Sequence, residues 1–431
     1  MAVVVANMIG TGVFTSLGFQ LVSIQSGFVL LMLWVVGGVA ALCGAMSYAE
    51  LGAALPRSGG EYNFLSQIYH PGAGFVSGWI SATVGFTAPV ALAALTFSAY
   101  ASASIPLLAS PLAQKLAAIT LIIVLTLIHS SSHRNSGGLQ NAFTVVKILV
   151  IVAFCITALI FSENTQPITV LPLPGDADLL VSGAFAVSLI YVSYAYTGWN
   201  VATYLSGEIE NPQKTLPPVL IGGTLIVMLL YLSLNYVFLK VATVESMTGQ
   251  IEIGAIAAKN AFGESAGQLA SGALALLLIS TVSAMTVAGP RVLQVVGEDF
   301  HALRFLGESN EDGIPATAIR LQSAFAILFI LLADFQSILL FTGFTLALNS
   351  FATVLSLFVL RIRRPDLDRP YRVPAYPLTP LAYLTLTAWT LVYVLIKNPI
   401  EGLVGLGIVA AGTLIYFVIA MSDRRNTRRV S

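Results

Sequence analysis

The chain has 431 residues, of which 57% are hydrophobic and only 9% charged, with a formal net charge of +0. A soluble domain carries about 25% charged residues, so this composition belongs in a lipid bilayer. A formal net charge of zero argues against nucleic acid as a partner, since that needs a basic face.

Spans of about 20 apolar residues are what a bilayer demands of helices. The sequence predicts twelve, at about 2–22, 28–54, 73–104, 115–132, 139–162, 179–204, 217–240, 266–290, 317–334, 337–361, 378–397 and 400–421. The ninth and tenth are joined so closely around Asp334 that they form a hairpin. The chain begins inside its first span, which leaves a missing cytoplasmic leader or a late-assigned start as the two expectations. No cleavable signal precedes it. Cys43 and Cys155 both lie in apolar runs and suggest neither a disulfide nor a metal framework.

Two spans are interrupted. The first carries Gly10-Thr11-Gly12 in an uncharged apolar run, where each glycine weakens a helix by about 1 kcal/mol relative to alanine. The sixth carries Tyr194-Ala195-Tyr196-Thr197-Gly198-Trp199. Close helix packing would explain a lone Gly-x-Gly. A matched pair of breaks in corresponding halves instead points to a transporter's substrate site, because freed backbone groups persist in hydrocarbon only where something binds them.

Lys and Arg residues in the connections set the orientation. With both termini inside, fifteen of the twenty fall on the cytoplasmic side, including Arg57, Arg134, Arg361, Arg369 and Arg424. Only Lys115, Lys240, Lys259 and Lys397 fall outside, and Lys147 stays within the membrane. The breaks divide the chain into five spans (1–162) and a second five (179–361), with the last two spans at 378–421 and a cytoplasmic tail at 422–431. Five is odd, so the second set enters the membrane inverted relative to the first.

At the first break, Gly10, Thr11 and Gly12 present N–H groups at the start of a half-helix, which favours an anion such as a carboxylate. The carbonyls near Asn7 to Ile9, and those of Tyr194 and Ala195 at the second break, suit an ammonium. One anionic and one cationic backbone end match an α-amino acid zwitterion. No charged side chain falls at either break, so the expected cargo is neutral overall. The expected binding set is Ile9, Gly10, Thr11, Gly12, Tyr194, Ala195, Thr197 and Asn200, with Tyr194 and Trp199 as gating aromatics. Lys147, in mid-span, either snorkels to the surface or faces the bundle interior. Inside, its ammonium would bind the first-break carbonyls where a sodium ion would otherwise sit. Glu50 and Glu208 lie near the cytoplasmic ends of their spans, as solvated ends or as parts of a gating salt bridge.

Other motifs carry less. His129 and His133 are spaced i, i+4 but have no third ligand, so zinc is not expected. Gly10-Thr11-Gly12 has Thr15 where a dinucleotide fingerprint needs glycine. No nucleophile elbow or P-loop occurs; neither an enzyme nor a cofactor is expected.

Taken together, these residues resemble the amino acid–polyamine–organocation superfamily, and within it the L-type amino-acid transporter branch and its bacterial relatives. The resemblance rests on Asn7-Met8-Ile9-Gly10-Thr11-Gly12-Val13-Phe14, on Ser47-Tyr48-Ala49-Glu50-Leu51 with Pro56-Arg57-Ser58-Gly59-Gly60-Glu61-Tyr62, and on Tyr194 to Asn200 with Glu208-Ile209-Glu210-Asn211-Pro212. Gly289-Pro290-Arg291 and Arg369-Pro370-Tyr371-Arg372-Val373-Pro374 continue it in order. It implies an all-α membrane protein with a leucine-transporter-type inverted repeat, exchanging amino acids or coupling them to protons without sodium. It also implies a fifth-span role for Lys147, a gating role for Tyr194, and Ser283 as the lysine's eighth-span partner. The connection Ile105 to Gln114 lacks the cysteine through which heteromeric members bind a glycoprotein heavy chain, so no disulfide-linked heavy chain is expected. The alternatives are a polyamine or cationic-amine permease, which would need a carboxylate near the site, and a non-transporting amino-acid sensor.

Overall fold

The first apolar stretch folds as two short helices, α1 (Ala2–Met8) and α2 (Gly12–Gln20), rather than as one. A computed structural model describes residues 1–131, 136–162, 165–300, 303–310 and 313–430, without side chains at 2, 136–141, 208 and 422–430. Among these residues every regular element is a helix. In chain order there follow α3 (Gly27–Ala54), the short α4 (Glu61–Ile68), α5 (Pro71–Ser102), α6 (Pro111–Ser131) and α7 (Ser136–Phe161). The second half holds α8 (Gly183–Tyr196), the four-residue α9 (Val201–Tyr204), α10 (Pro212–Val241), α11 (Ile253–Phe262) and α12 (Glu264–Asp299). It closes with α13 (Ala316–Leu332), α14 (Phe335–Arg363), α15 (Leu378–Lys397) and α16 (Pro399–Val430).

Capping residues explain several starts. Ser26, Ser182 and Asp334 accept the N–H groups of Val29, Phe185 and Ser337 at 3.3, 3.2 and 2.8 Å, supplying partners that a helix's first turn lacks. Asp334 thereby makes the tight turn between α13 and α14. Among the boundaries that differ from the sequence expectation, two have a local cause. Helix α10 starts at Pro212 rather than near 217, because proline is tolerated at a helix's first position. Helix α12 continues through Pro290 to Asp299, since neighbouring helices hold it past the proline.

Nine helices are long and apolar enough to cross a bilayer among the described residues. The remaining expected spans are the broken α1–α2, the broken α8–α9, and α13, which is apolar but shorter. The protein is thus an all-helical, multi-span membrane protein. Its burial runs inward: α5 is mostly enclosed, whereas α6 and α7 bare Leu127, Leu149 and Phe161 to lipid. The broken helices lie in the middle, packed against α3, α10, α11 and α14.

Candidate functional site

The two breaks lock into one another. A methyl group on Gly12 would lie 2.5 Å from the Ala195 Cα, closer than any real contact. Gly198 has φ +101°, which a side chain resists, and a methyl there would lie 2.9 Å from the Asn7 carbonyl oxygen. Thr11 Oγ1 and Tyr194 Oη approach to 3.5 Å across the join. Thr197 turns back on its own helix, its N–H and hydroxyl reaching the Tyr194 carbonyl at 3.0 and 2.6 Å. Close packing therefore accounts for Gly12, while Gly10 faces open space, its nearest neighbour at 3.9 Å. This separates the two glycines experimentally. Gly12→Ala should destabilise the protein by about 1–3 kcal/mol through overpacking. Gly10→Ala should fold normally but lose substrate-induced thermal stabilisation. Equal melting of both variants in the absence of substrate would contradict this.

At the end of α1 the chain leaves the helix at Ile9 (φ −75°, ψ 80°) and the Gly10 N–H folds back on the Met8 carbonyl at 2.8 Å. Two of the first-break carbonyls have side-chain partners. Tyr231 on α10 donates its hydroxyl to Met8 O. Lys147 on α7 donates to Ile9 O at 3.3 Å and to Thr281 Oγ1 on α12 at 2.7 Å. Lys147 is 9% exposed, so it does not snorkel: it ties the break to α12. The hydroxyl that meets it belongs to Thr281, not to Ser283, which bonds His129 Nε2 at 2.8 Å. Two residues on a 3.6-residue turn point to different faces, so only one of the pair can face the lysine. His133 and Arg134 lie outside the described residues.

Around the breaks lies a cavity of about 100 Å³, lined by Gly10, Thr11, Gly12, Tyr194, Ala195, Thr197, Trp199 and Asn200. Ile9 is buried beside it. Helix α5 contributes Ser81, Gly85, Phe86 and Pro89. There α5 opens into a π-helical turn, Ser81–Gly85, in which Phe86 N–H reaches Ser81 O at 3.0 Å. Pro89 lacks the N–H that an α-helix would bring to Gly85 O, and such bulges recur at functional sites. The Trp199 ring packs edge-on against Tyr48 with centroids 4.6 Å apart.

One lining residue stands outside every expectation drawn from the breaks. Glu61, at the start of α4, is 1% exposed and lines the cavity. Its Oε1 accepts from Tyr48 Oη at 3.0 Å and from Asn200 Nδ2. Gly59 and Gly60, at φ +115° and +53°, turn the chain so that α4 enters there. That glycine pair just before an acid is the only local signal.

On the Arg-rich side Glu50 is fully buried in an ion pair. Arg361 grips it in two-pronged fashion, Nε to Oε1 at 2.8 Å and Nη2 to Oε2 at 2.6 Å. The Val373 N–H reaches Oε2 at 2.7 Å, and Arg369 Nε lies 3.6 Å from Oε1. This clamp joins α3 to the end of α14 and to the connection beyond it. The Glu208 side chain lies outside the described residues. On the opposite side, Gly249 N–H bonds Gly18 O at 2.8 Å, and Tyr100 Oη links Phe14 O to the Gly254 N–H at 3.1 and 2.9 Å. These contacts fasten α11 and the connection before it over α2.

A multi-span helical bundle with two helices broken around one buried cavity defines a membrane transporter. The amino acid permease family profile matches residues 1–421, and the chain belongs to that family. It is 28% identical over 440 residues to the b(0,+)-type amino acid transporter 1 of Mus musculus, covering 100% of this chain and 88% of that protein. It is 29% identical over 438 residues to the large neutral amino acids transporter small subunit 2 of Homo sapiens, covering 96% and 78%. The Asc-type amino acid transporter 1 of Mus musculus is 27% identical over 427 residues, covering 96% and 79%. These relatives are amino acid transporters, and amino acid transport is the function of the class.

Proposed function

We propose that this protein carries neutral L-amino acids across the cell membrane by alternating access, independently of sodium, as an exchanger or a proton-coupled symporter. Twelve spans form a five-plus-five inverted repeat (1–162 and 179–361) followed by two further helices, with both termini in the cytoplasm. The observation that carries the reading is the pair of interlocked breaks around one cavity, with Lys147 on the Ile9 carbonyl. The N–H groups that open α2 receive the substrate carboxylate. Because Met8 O, Ile9 O and Tyr194 O already have donors, the substrate ammonium falls to the remaining second-break carbonyl, that of Ala195. An ammonium fixed at the first break repels a sodium ion from the same oxygens. The names of the relatives agree in amino acids as cargo. Cys43 and Cys155 are buried and free, and no disulfide-linked heavy chain is part of this reading.

Counterflow of labelled amino acids in proteoliposomes, with and without sodium, tests the proposal. A strict sodium requirement would refute it, and binding without uptake would make the protein a sensor. Glu61 favours the second reading, a cationic-amine permease, because it places a carboxylate on the cavity; competition by polyamines and cationic amino acids separates the two. The gate has its own test. Tyr194 is 5% exposed, on the cavity wall, so Tyr194→Ala should lower uptake at least tenfold by impairing occlusion, and Tyr194→Phe should be mild. An alanine variant with wild-type KM and rate would place the gate elsewhere.

A further inference from the structure

Glu61 poses a problem of charge that the transport reading leaves unsolved. It is 1% exposed. Among the described residues no Lys, Arg or His pairs with it: Lys147 is on Ile9 and Thr281, Arg57 on Asp299, and Arg361 and Arg369 are on Glu50. The titratable groups that face it are phenols, Tyr48 on α3, Tyr204 on α9 and Tyr383 on α15. Its two oxygens differ. Oε1 accepts from Tyr48 and Asn200, whereas Oε2 is closed off from solvent with no hydrogen-bond partner. A charged carboxylate so enclosed and so poorly satisfied is expensive to keep.

We infer that Glu61 is the proton-binding residue of this transporter, holding a proton on Oε2 in the state described here. The inference rests on the transport reading and makes proton coupling, rather than obligatory exchange, its mode. Three candidates compete for the vacant oxygen: a metal ion, a cationic group of the substrate, and a proton. A metal ion needs several oxygen ligands with their lone pairs turned inward. Here two donors point hydrogens at the same carboxyl, which repels a cation. An ammonium needs room beside Oε2, and there is none without rearrangement. A proton needs no room and leaves both donor bonds to Oε1 intact. The chemistry is a single equilibrium: carboxylate plus a proton from the cavity water gives the carboxylic acid, and the reverse returns it.

Protonation is linked to transport through Asn200. That residue ends the second break, and its amide is the direct bond between the break and α4. Loss of the proton puts a full negative charge beside Asn200 and Tyr48. It strengthens their bonds to the carboxylate, draws water to Oε2, and so changes how the second break is held. Substrate at the breaks and a proton at Glu61 are thereby coupled through one side chain.

The test uses the full-length protein in proteoliposomes with a substrate found by counterflow. A gradient of one pH unit, alkaline inside, should drive the wild type to about tenfold accumulation for one proton per substrate. Glu61→Gln imitates the protonated acid: its carbonyl accepts from Tyr48 and Asn200 and its amide replaces the O–H. This variant should show no accumulation above equilibration, and a pH profile of counterflow that is flat where the wild type's is sloped. Accumulation by E61Q equal to wild type, or a wild type that exchanges but never accumulates, would overturn the inference. Infrared difference spectra provide a readout independent of transport. A protonated carboxyl band should appear in the wild type and be absent in E61Q, or shifted in Glu61→Asp should E61Q not fold. A wild type with the band but no counterflow would defeat the transport reading while leaving the proton on Glu61. Absence of the band from wild-type spectra at every pH would remove it.

Discussion

Replacing Lys147 with alanine should cut amino-acid uptake by tenfold to a hundredfold. The side chain makes a charge-assisted bond to the Ile9 carbonyl and another to the Thr281 hydroxyl. Bonds to charged groups are worth about 1.5–3 kcal/mol each, and 1.4 kcal/mol is a factor of ten in an equilibrium. Removing the ammonium leaves a buried carbonyl alone at the point where the chain must stay unwound. The half-helix presenting Thr11 then loses the tether that fixes it to α7 and α12. Lys147→Arg should also fail, because a planar guanidinium cannot replace a compact ammonium in a slot this tight. Uptake of wild type and variants in sodium and choline buffers is the measurement. Undiminished transport by the alanine variant would show that the tether is dispensable.

Arg361→Ala should lower stability by about 3 kcal/mol, the lower end of the cost of breaking a buried ion pair. Glu50 is 0% exposed, and Arg369, at 3.6 Å, compensates only in part. The lost stability should survive high salt, because a buried pair is poorly screened. The double change Glu50→Gln with Arg361→Met should recover most of it, since no charge is then left unpaired. Thermal unfolding in detergent at low and high salt decides this, and an Arg361→Ala variant that melts with the wild type would reduce the clamp to a surface contact.

Much of this architecture was legible because hydrocarbon permits so little. Apolar runs, the two Thr-Gly breaks and a lysine in mid-span each stand out against a background that excludes charge and unpaired backbone. The role of Glu50 was half legible: the sequence allowed both a solvated end and a salt bridge, and only the fold brings Arg361 to it from 311 residues away. Glu61 was legible only as an acid after a glycine pair. It sits in a polar connection where an acid is ordinary, and its partner Asn200 is 139 residues distant. The lysine's partner shows a finer limit. Thr281 and Ser283 are both hydroxyls in one helix, and only the helix's rotation about its own axis selects between them. Such rotation is set by packing against α5 and α11, not by composition.

The contact of Gly12 with Ala195 bears on which variants natural drift can reach. At many crowded glycines a neighbour can give way: beside Gly38 the obstacle is the flexible Met228 side chain, 2.6 Å from the added methyl. At Gly12 the obstacle is the Ala195 Cα itself, at 2.5 Å, with its amide nitrogen at 3.1 Å. Trimming Ala195 to glycine removes the Cβ and leaves those atoms in place. No second-site change at position 195 can therefore rescue a larger residue at 12. A suppressor screen begun from Gly12→Ala should return revertants or substitutions that shift the whole of α8, and none that act by making residue 195 smaller.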